Sequence, residues 1–465
     1  MSEQLLYNIS LNNLTLKSFR CFPELDVSFD ERLTVFIAEN GGGKTTVLDA
    51  IAEGLKAYLA ALKVAGYKQC SFQGGDVKKG EEISDININV SLDYPVKLSN
   101  LSVTGETRAG ELDGKQENIE VFINVYKHNI SSTNLSSKSV IASYNELAKN
   151  RLNQDNQIVM PVLAYFGGDS VKIKYDAKDR AKNRIEYIYK NAFSRSRLNY
   201  TAIYDWFDEK FKVFRELKDK DSSIKMEEKT PELFKIQKAV EWIMNDGDNA
   251  VYKDLRISSL SGQSKLVISK KNTSGTYDDI EINQLSSGEK SLFAFVADLG
   301  LRLLHATPLT TSVEADSAYK ILGKGIVLID EVDLHLHLSW QQKVIEKLME
   351  IFPDVQFVMS AHSLLILGKL RSNNVRLFLD NELYSIPEMY GQDIGTIIEK
   401  IWKIPSNIFK HRIREVYRLL ATNVLGNLLA AKAEVENIEK EIGNSTPALV
   451  EAKAIIKHKE KALLQ

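Results

Sequence analysis

Apolar and polar positions along the chain follow two different periods, and the change from one period to the other marks the predicted elements. Residues 10–37 first alternate and then become continuously apolar, which predicts two antiparallel strands followed by a buried strand over Leu33–Ile37. The glycine run Gly41–Gly43 ends that strand, and helical periodicity begins immediately after it. Strand, glycine loop and helix in this order are what a phosphate-binding loop requires. The apolar face of the helix comprises Val47, Leu48, Ile51, Ala52 and Leu55.

Further along the chain, the same two periods predict a β-rich half, a helical segment and a second β-rich half. Strands are expected over 84–98, 118–127, 159–166 and 255–283. The pattern between about 172 and 250 is helical, with a polar turn over Lys218–Lys229.

The chain after Gly391 is also predicted to be helical. A glycine and a Ser-Thr-Pro step separate two helices, Val416–Ile442 and Ala448–Leu463, in the pattern of a helical hairpin.

The segment Ala38–Thr46 (AENGGGKTT) fits the phosphate-loop pattern GxxxxGK[ST], except that Ala38 replaces the first glycine. Lys44 would reach the β- and γ-phosphates of ATP, and the Thr45 hydroxyl would ligate Mg²⁺. The alternative is a glycine-rich turn that merely begins a helix, but the preceding buried strand and the GKT ending favour a nucleotide site. The predicted nucleotide-binding residues of this loop are Asn40, Gly41, Gly42, Gly43, Lys44, Thr45 and Thr46.

An apolar strand ending in two acids, Gly325–Glu331 (GIVLIDE), predicts a Walker B element. Asp330 would hold Mg²⁺ through its water shell, and Glu331 would polarise the attacking water. A plain strand end is the alternative, and the pairing with a phosphate loop argues against it.

The sequence QLSSGEKS, followed by an apolar helix, resembles the signature loop of ABC-type ATPases. In that class the helix start binds the γ-phosphate held by the opposite subunit, which is a helix-terminus anion site used in trans. The alternative is an ordinary serine-capped helix. The predicted in-trans residues are Ser286, Ser287, Gly288 and Glu289.

Histidines near two apolar strands supply the remaining candidates. His362, in the sequence SAHS, is expected to be the catalytic switch residue that contacts the γ-phosphate. Asp333, His335 and His337 match the D-loop region that crosses a dimer interface. The same three residues could instead form a metal site, although no fourth ligand is evident.

Composition narrows the function classes without deciding among them. The chain has 465 residues, a net charge of −2 and two cysteines, which together suit a reducing, cytoplasmic location and exclude a polycation. Neither a signal peptide nor a membrane span is expected. Residues 172–197 carry nine Lys/Arg against three Asp/Glu, interleaved with Tyr175, Tyr187, Tyr189 and Phe193. This stretch is either a DNA contact or a solvated helix face.

These motifs, together with Phe19-Arg20, resemble the heads of SMC and RecF-like ATPases. The C-terminal sequence MYGQD, with the helical region ending GNSTPALVEAKAII, is most similar to the PtuA family, the ATPase subunits of Septu anti-phage defence systems that also occur with some retrons. Two departures stand out. Leu338 occupies a position where relatives usually carry proline, and no Q-loop glutamine is clear, with Gln73 and Gly167–Asp169 as candidates.

The resemblance implies an α/β fold, an ABC-type P-loop ATPase head with an antiparallel β-lobe, an inserted helical arm and a C-terminal helical region. The expected boundaries are 1–171 and 255–390 for the two halves of the head, 172–254 for the arm and 391–465 for a partner-binding region.

The implied function is that of an ATPase, with a rate left open, which dimerises around ATP and Mg²⁺ and regulates an HNH nuclease partner of the PtuB family. Arg20 is expected to contact the nucleotide. Higher oligomers and DNA are further expected partners, and no intrinsic nuclease is expected. The alternative is a DNA-repair clamp of the RecF/SMC kind without a nuclease partner. A transporter ATPase is disfavoured by the SSGEK signature and the long helical insertion.

Overall fold

The computed structural model divides the chain into two compact units. The first comprises Met1–Ile366 with Leu370–Glu388, and the second comprises Leu367–Lys369 with Met389–Gln465. The structure describes residues 8–39, 41–61, 64, 66–67, 71–95, 114–127, 132–136, 160–167, 181–194, 200–245, 250–260, 263–307, 318–379, 381–392, 396–397, 408–422, 424–442 and 447–463. The predicted boundaries at 171, 254 and 390 remain predictions.

The described strands of the first unit form three sheets. Its strands are β1 (Asn8–Phe19), β2 (Phe22–Ser28), β3 (Leu33–Ala38), β4 (Ile83–Pro95), β5 (Gly114–Tyr126), β6 (Ser132–Leu135), β7 (Val162–Phe166), β8 (Tyr252–Leu260), β9 (Gln263–Lys271), β10 (Tyr277–Glu281), β11 (Gly325–Ile329), β12 (Val355–Ala361), β13 (Val375–Leu379) and β14 (Glu382–Tyr384). The five-stranded sheet has the order β2-β1-β4-β5-β6, the three-stranded sheet β10-β9-β8 and the six-stranded sheet β14-β13-β3-β12-β11-β7.

Helices of the first unit lie between these strands. They are α1 (Lys44–Ala61), α2 (Arg184–Tyr189), α3 (Tyr200–Lys220), α4 (Met226–Lys229), α5 (Pro231–Met244), α6 (Ser287–Ala306), α7 (Leu338–Gln341) and α8 (Val344–Ile351). The second unit contains α9 (Ile408–Leu420), α10 (Leu425–Ile442) and α11 (Pro447–Leu463). None of the helices in the described part of the chain combines the length and apolar character needed to cross a bilayer.

The six-stranded sheet positions the candidate site. Its strands are parallel except for the β13–β14 pair. Every residue of β3, β11 and β12 is buried, as expected of central parallel strands covered on both faces. Because parallel strands end at the same edge of a sheet, the segments after β3, β11 and β12 are neighbours. These are the segments that carry the phosphate loop, the Walker B acids and the switch histidine.

The antiparallel β1–β2 pair, the buried strand β3 and the helix after the glycine run are confirmed. All five apolar positions predicted for one face of α1 are buried. The mixture of an antiparallel sheet, a parallel sheet and intervening helices confirms the predicted α/β fold class.

Two helical predictions for residues 172–250 need correction. Among the described residues between 181 and 199, only Arg184–Tyr189 forms a helix, because Asn183 caps its start and the chain turns at Lys190. The predicted polar turn over Lys218–Lys229 is mostly helical: α3 continues to Lys220 and α4 occupies the last four residues. Lysines in the last turn of α3 complement its dipole, which favours the longer helix.

The second unit is also divided differently from the prediction. A single helix over Val416–Ile442 was expected, but α9 ends at Leu420 and α10 begins at Leu425. The Thr422 hydroxyl donates to the Leu419 carbonyl at 2.8 Å and accepts from the Asn427 amide at 2.9 Å. Such local side-chain hydrogen bonds compete with helix continuation. In the described residues from 408 onwards, three helices therefore surround a shared apolar core.

Candidate active site

The loop between β3 and α1 has the backbone geometry of an anion site. Gly41 and Gly43 adopt φ values of +79° and +89°, which disfavour any residue with a Cβ. A Cβ on Gly43 would lie 2.3 Å from the Phe22 ring, and one on Gly42 would lie 2.7 Å from the Ala38 Cβ. The loop leads directly into the N-terminus of an 18-residue helix, whose first N–H groups have no intrahelical acceptor. These features fit a triphosphate.

Lys44 is held at the mouth of this loop. Its side-chain nitrogen donates to the carbonyls of Ala38 at 2.8 Å and Glu39 at 3.1 Å, and lies 3.4 Å from Nδ1 of His362. Burial lowers the pKa of the ammonium, against the opposing effect of nearby carboxylates. Ala38 contributes its backbone carbonyl as the acceptor for Lys44, and it is not among the residues with positive φ. The loop therefore tolerates alanine in place of the first glycine, as expected.

The Walker B acids lie at the end of β11, beside the start of α1. The Thr45 hydroxyl donates to Oδ2 of Asp330 at 2.9 Å, and the Ser360 hydroxyl donates to Oδ1 at 2.5 Å. A hydroxyl and a carboxylate at this spacing are the hard oxygen donors that Mg²⁺ prefers, so this pair fits the predicted metal. Glu331 follows in the left-handed region at φ +55°, a sparsely populated conformation for a residue with a side chain.

His362 lies between the phosphate loop and Glu331. Its Nε2 is 3.6 Å from Oε1 of Glu331, while its Nδ1 faces Lys44. The structure therefore brings together five of the predicted residues in one cluster. These are Lys44, Thr45, Asp330, Glu331 and His362.

Asp333 is turned towards its own chain, and its predicted place in a D-loop at a dimer interface remains a prediction. It is buried, and its carboxylate accepts from the backbone N–H groups of His362 at 3.0 Å and Ser363 at 2.6 Å. His335 and His337 are exposed, and His337 caps α7 through Ser339. Among the described residues, no three side chains converge as metal ligands, so the alternative metal site over this loop has no support.

Ser286 and Glu289 form a reciprocal capping box at the start of α6. The Ser286 N–H donates to the Glu289 carboxylate at 2.8 Å, and the Ser286 hydroxyl accepts from the Glu289 N–H at 3.4 Å. The same carboxylate accepts from the Tyr252 hydroxyl and, at 3.2 Å, from Lys270. Burial alone would raise the pKa of Glu289, but the hydrogen bonds from Tyr252, Ser286 and Lys270 lower it below its ordinary value.

The predicted signature residues make no polar contact with the phosphate loop of their own chain among the described residues. Ser286 and Ser287 are exposed. Gly288 is buried, and a Cβ there would lie 2.5 Å from the carbonyl oxygen of His335. Glycine at 288 thus lets the start of α6 approach the D-loop backbone of the same chain. The Glu289 carboxylate, expected to act in trans, is engaged within its own subunit.

Arg20 is anchored by two acids that sequence reasoning missed. Its guanidinium donates to Asp49 at 2.7 Å and to Asp76 at 2.9 Å, and it lies over the rings of Phe19 and Phe72. Since Asp49 belongs to α1, Arg20 ties the phosphate-loop helix to the segment before β4. Its predicted contact with nucleotide remains a prediction.

The sequence profile of the AAA domain family matches residues 13–248, which is more than half of the chain. The chain belongs to the AAA domain family. The predictions of a P-loop ATPase and of bound ATP agree with this membership.

Two similar proteins align with most of the length of this AAA-domain ATPase. It is 27% identical to the retron Vc95 probable ATPase of Vibrio cholerae, over 81% of this chain and 74% of that protein. It is 23% identical to the retron Ec83 probable ATPase of Escherichia coli, over 95% of this chain and 85% of that protein. The Septu protein PtuA of Bacillus mycoides is 29% identical over 26% of this chain and 18% of its own length.

A solved SMC head bound to the C-terminal winged-helix domain of ScpA covers 81% of this chain and 97% of its own, with 14% identity and a TM-score of 0.43. We draw no conclusion about function from a structural match with this TM-score. The relatives and the matched family confirm the resemblance to retron-associated and Septu ATPases.

Several predicted features of this AAA-domain ATPase lie outside the described residues. Asn40 is one, and Gly168–Asp169, part of one Q-loop candidate, is another. The other candidate, Gln73, is exposed beside the Asp76 that anchors Arg20.

The basic stretch 172–197 has a mainly structural role where it is described. Tyr189 and Phe193 are buried, and Tyr187 stacks on His305 with ring centroids 4.2 Å apart. Arg184 donates to the carbonyls at the end of α6. These aromatic rings are therefore unable to stack on exposed bases, whereas Tyr175 lies outside the described residues. DNA binding remains a prediction.

Proposed function

We propose that this protein is the ATPase subunit of an anti-phage defence complex, in which two copies close around two ATP molecules and control an HNH nuclease partner. The observation that carries the proposal is its similarity to retron-associated ATPases along 81–95% of the chain. A Septu relative, PtuA, supports the same kind of system. A cytoplasmic location belongs to the same proposal.

Within one subunit, Lys44 and the N–H groups at the start of α1 bind the β- and γ-phosphates. Thr45 and Asp330 would hold Mg²⁺, which would supply neutralising charge to the phosphate oxygens. Glu331 orients a water that attacks the γ-phosphorus as the bond to the bridging oxygen breaks, leaving ADP and phosphate. The Nε2 atom of His362 lies 3.6 Å from Oε1 of Glu331. In this proposal, His362 contacts the γ-phosphate.

The opposite side of the pocket comes from a second copy. Ser286 and Ser287 are exposed at the start of a 20-residue helix, whose N-terminus favours an anion. Their polar contacts, among the described residues, stay within their own loop and helix. A phosphate held by Lys44 of another subunit satisfies this helix start.

The C-terminal unit is the proposed docking region for the nuclease. It has its own core, and its described residues include the exposed apolar side chains of Val424 and Leu429. No HNH triad is apparent in the sequence, so DNA cleavage is assigned to the partner subunit.

Co-expression of the full chain with an HNH nuclease of the PtuB family, taken from the same genome, tests the proposal. The two proteins are expected to co-purify, and Leu429→Glu is expected to weaken the complex while leaving ATP hydrolysis unchanged. A surface change elsewhere, Val213→Glu, serves as the matched control. An HNH protein that never co-purifies, with or without ATP, would overturn the partner assignment.

The second candidate is a DNA-repair clamp of the RecF/SMC kind. The charge surplus over 172–197 favours it. DNA binding that falls steeply with salt, together with no HNH partner in the same preparations, would select this candidate instead.

A further inference from the structure

Ser360 makes an unusual number of contacts with the Walker B segment. It belongs to β12, which pairs in parallel with β11 so that Met359 lies opposite Ile329. Its hydroxyl donates to Oδ1 of Asp330 at 2.5 Å and accepts from the Glu331 N–H at 2.8 Å. Its backbone carbonyl accepts from the Val332 N–H at 3.0 Å. One residue thus contacts three consecutive residues of the neighbouring segment.

The middle residue of those three has the strained backbone. Glu331 adopts φ +55°, a conformation that persists in folded proteins only where the surroundings enforce it. Ser360 hydrogen-bonds to Asp330 and Val332, the residues on either side of Glu331, and to the Glu331 N–H. The direction of the Glu331 carboxylate follows from this backbone conformation.

Ser360 also fixes the Asp330 carboxylate. Thr45 occupies Oδ2 and Ser360 occupies Oδ1, so the carboxylate plane is set by one hydroxyl from α1 and another from β12. Ser360 has 0% exposure, which prevents water from replacing its hydroxyl freely.

We propose that Ser360 is a positioning residue for ATP hydrolysis, which orients the Asp330 carboxylate and holds Glu331 in the left-handed conformation that aims its carboxylate. The inference rests on the proposed roles of Asp330 and Glu331. It extends the function of the SAHS motif beyond His362.

A hydroxyl makes both contacts through a single atom, because it donates to one group and accepts from the other at once. Alanine at 360 leaves the Asp330 oxygen and the Glu331 N–H without this partner. Threonine keeps the hydroxyl and adds one methyl group, so it is the conservative variant.

The test compares Ser360→Ala, Ser360→Thr, Glu331→Gln and the control Ser84→Ala in the full chain. Ser84 is also fully buried and donates one hydrogen bond, to the Lys17 carbonyl in the antiparallel sheet. Steady-state ATP hydrolysis, the binding of a fluorescent ATP analogue without Mg²⁺ and the thermal unfolding midpoint are measured for each variant.

Ser360→Ala is expected to lower kcat by roughly 10- to 100-fold, as is typical when a group that orients an active-site ligand is removed. Binding of the analogue is expected to change by less than about threefold, since Lys44 and the loop amides are untouched. Ser360→Thr is expected to recover most of the kcat, and Ser84→Ala to keep it.

Three results would overturn the inference. The first is an unchanged kcat in Ser360→Ala while Glu331→Gln is inactive. The second is a kcat loss in Ser360→Ala that Ser84→Ala reproduces at an equal drop in unfolding midpoint. The third is a well-folded Ser360→Thr variant as inactive as the alanine variant. Retained hydrolysis in Glu331→Gln would instead reject the proposed role of Glu331.

Discussion

The phosphate loop and the signature loop each end at the N-terminus of a long helix, but different parts of the first unit stabilise them. The first turn of α1 is tied to the six-stranded sheet, through Lys44 to the end of β3 and through Thr45 to Asp330 after β11. The first turn of α6 is tied to the three-stranded sheet, since Glu289 accepts from Tyr252 of β8 and Lys270 of β9.

The polar groups at the two helix starts therefore have different surroundings. On the nucleotide side, the polar groups of Lys44, Thr45, Asp330 and Glu331 already contact one another or their neighbours, so the catalytic cluster is assembled within one subunit. On the signature side, Ser286 is exposed, and its hydroxyl accepts from the Glu289 N–H within the capping box. The molecule therefore carries one cluster of interacting polar side chains around Lys44 and one helix start that is fixed by its own capping box.

The largest effect on ATP binding is expected when the Lys44 side chain of the phosphate loop is removed. Lys44→Ala should weaken ATP binding by roughly 100-fold, because two charge-assisted contacts of about 1.5 kcal/mol each are lost. Titration calorimetry with ATP measures the change, and Lys17→Ala, which removes an exposed side chain of β1, is the control. ATP binding of wild-type strength in Lys44→Ala would remove this lysine from the site.

A medium effect is expected from the loop glycines, and it separates backbone strain from packing. Gly41→Ala and Gly43→Ala both place a Cβ at positive φ, at a cost of about 1–2 kcal/mol. Only Gly43→Ala also meets the Phe22 ring, which adds about 1–3 kcal/mol of overpacking. Gly43→Ala should therefore lose more ATP affinity and more unfolding free energy than Gly41→Ala.

Phe22→Leu in the Gly43→Ala background supplies the control, because it opens space at the ring. Partial recovery of ATP affinity is expected. Equal defects in the two glycine variants would show that Phe22 does not support the loop.

The smallest expected effect concerns the signature side and depends on pH. Since the pKa of Glu289 is lowered in the folded protein, its charge stabilises the fold above the ordinary glutamate pKa of about 4.3, and that contribution disappears as pH falls towards the lowered value. Glu289→Gln, which retains a capping side chain, should cost under about 1 kcal/mol at pH 7. Its stability should also fall less than that of the wild type between pH 7 and pH 4.

Urea unfolding at the two pH values measures this difference, with Glu24→Gln on the exposed strand β2 as the control. Parallel losses of stability in Glu289→Gln and the wild type would mean that the capping carboxylate does not contribute to acid sensitivity.

Local sequence patterns were sufficient for the elements that carry the motifs. A glycine run between an apolar strand and helical periodicity placed α1, and the QLSSGEKS sequence before an apolar run placed the start of α6. Both signals act over a few residues, so they are readable without knowing the tertiary structure.

Local sequence patterns did not predict the contacts between segments that are distant in the chain. Ser360 meets Asp330 only because β11 and β12 pair in a particular register, and Glu289 meets Tyr252 across 37 residues. Asp333 carried a motif that predicts an interface residue, yet its carboxylate turned inward to the switch loop. The break between α9 and α10 depends on side-chain hydrogen bonds of Thr422, which hydrophobic periodicity does not report.

The central claim is that a second copy completes each nucleotide pocket, and the mass of the complex tests it most directly. Light scattering with ATP and Mg²⁺ should give two chains for Glu331→Gln, which binds ATP but hydrolyses it slowly. It should give one chain for Glu331→Gln combined with Ser286→Arg, whose nucleotide binding stays intact. A single chain for Glu331→Gln at saturating ATP, or two chains for the double variant, would contradict the account.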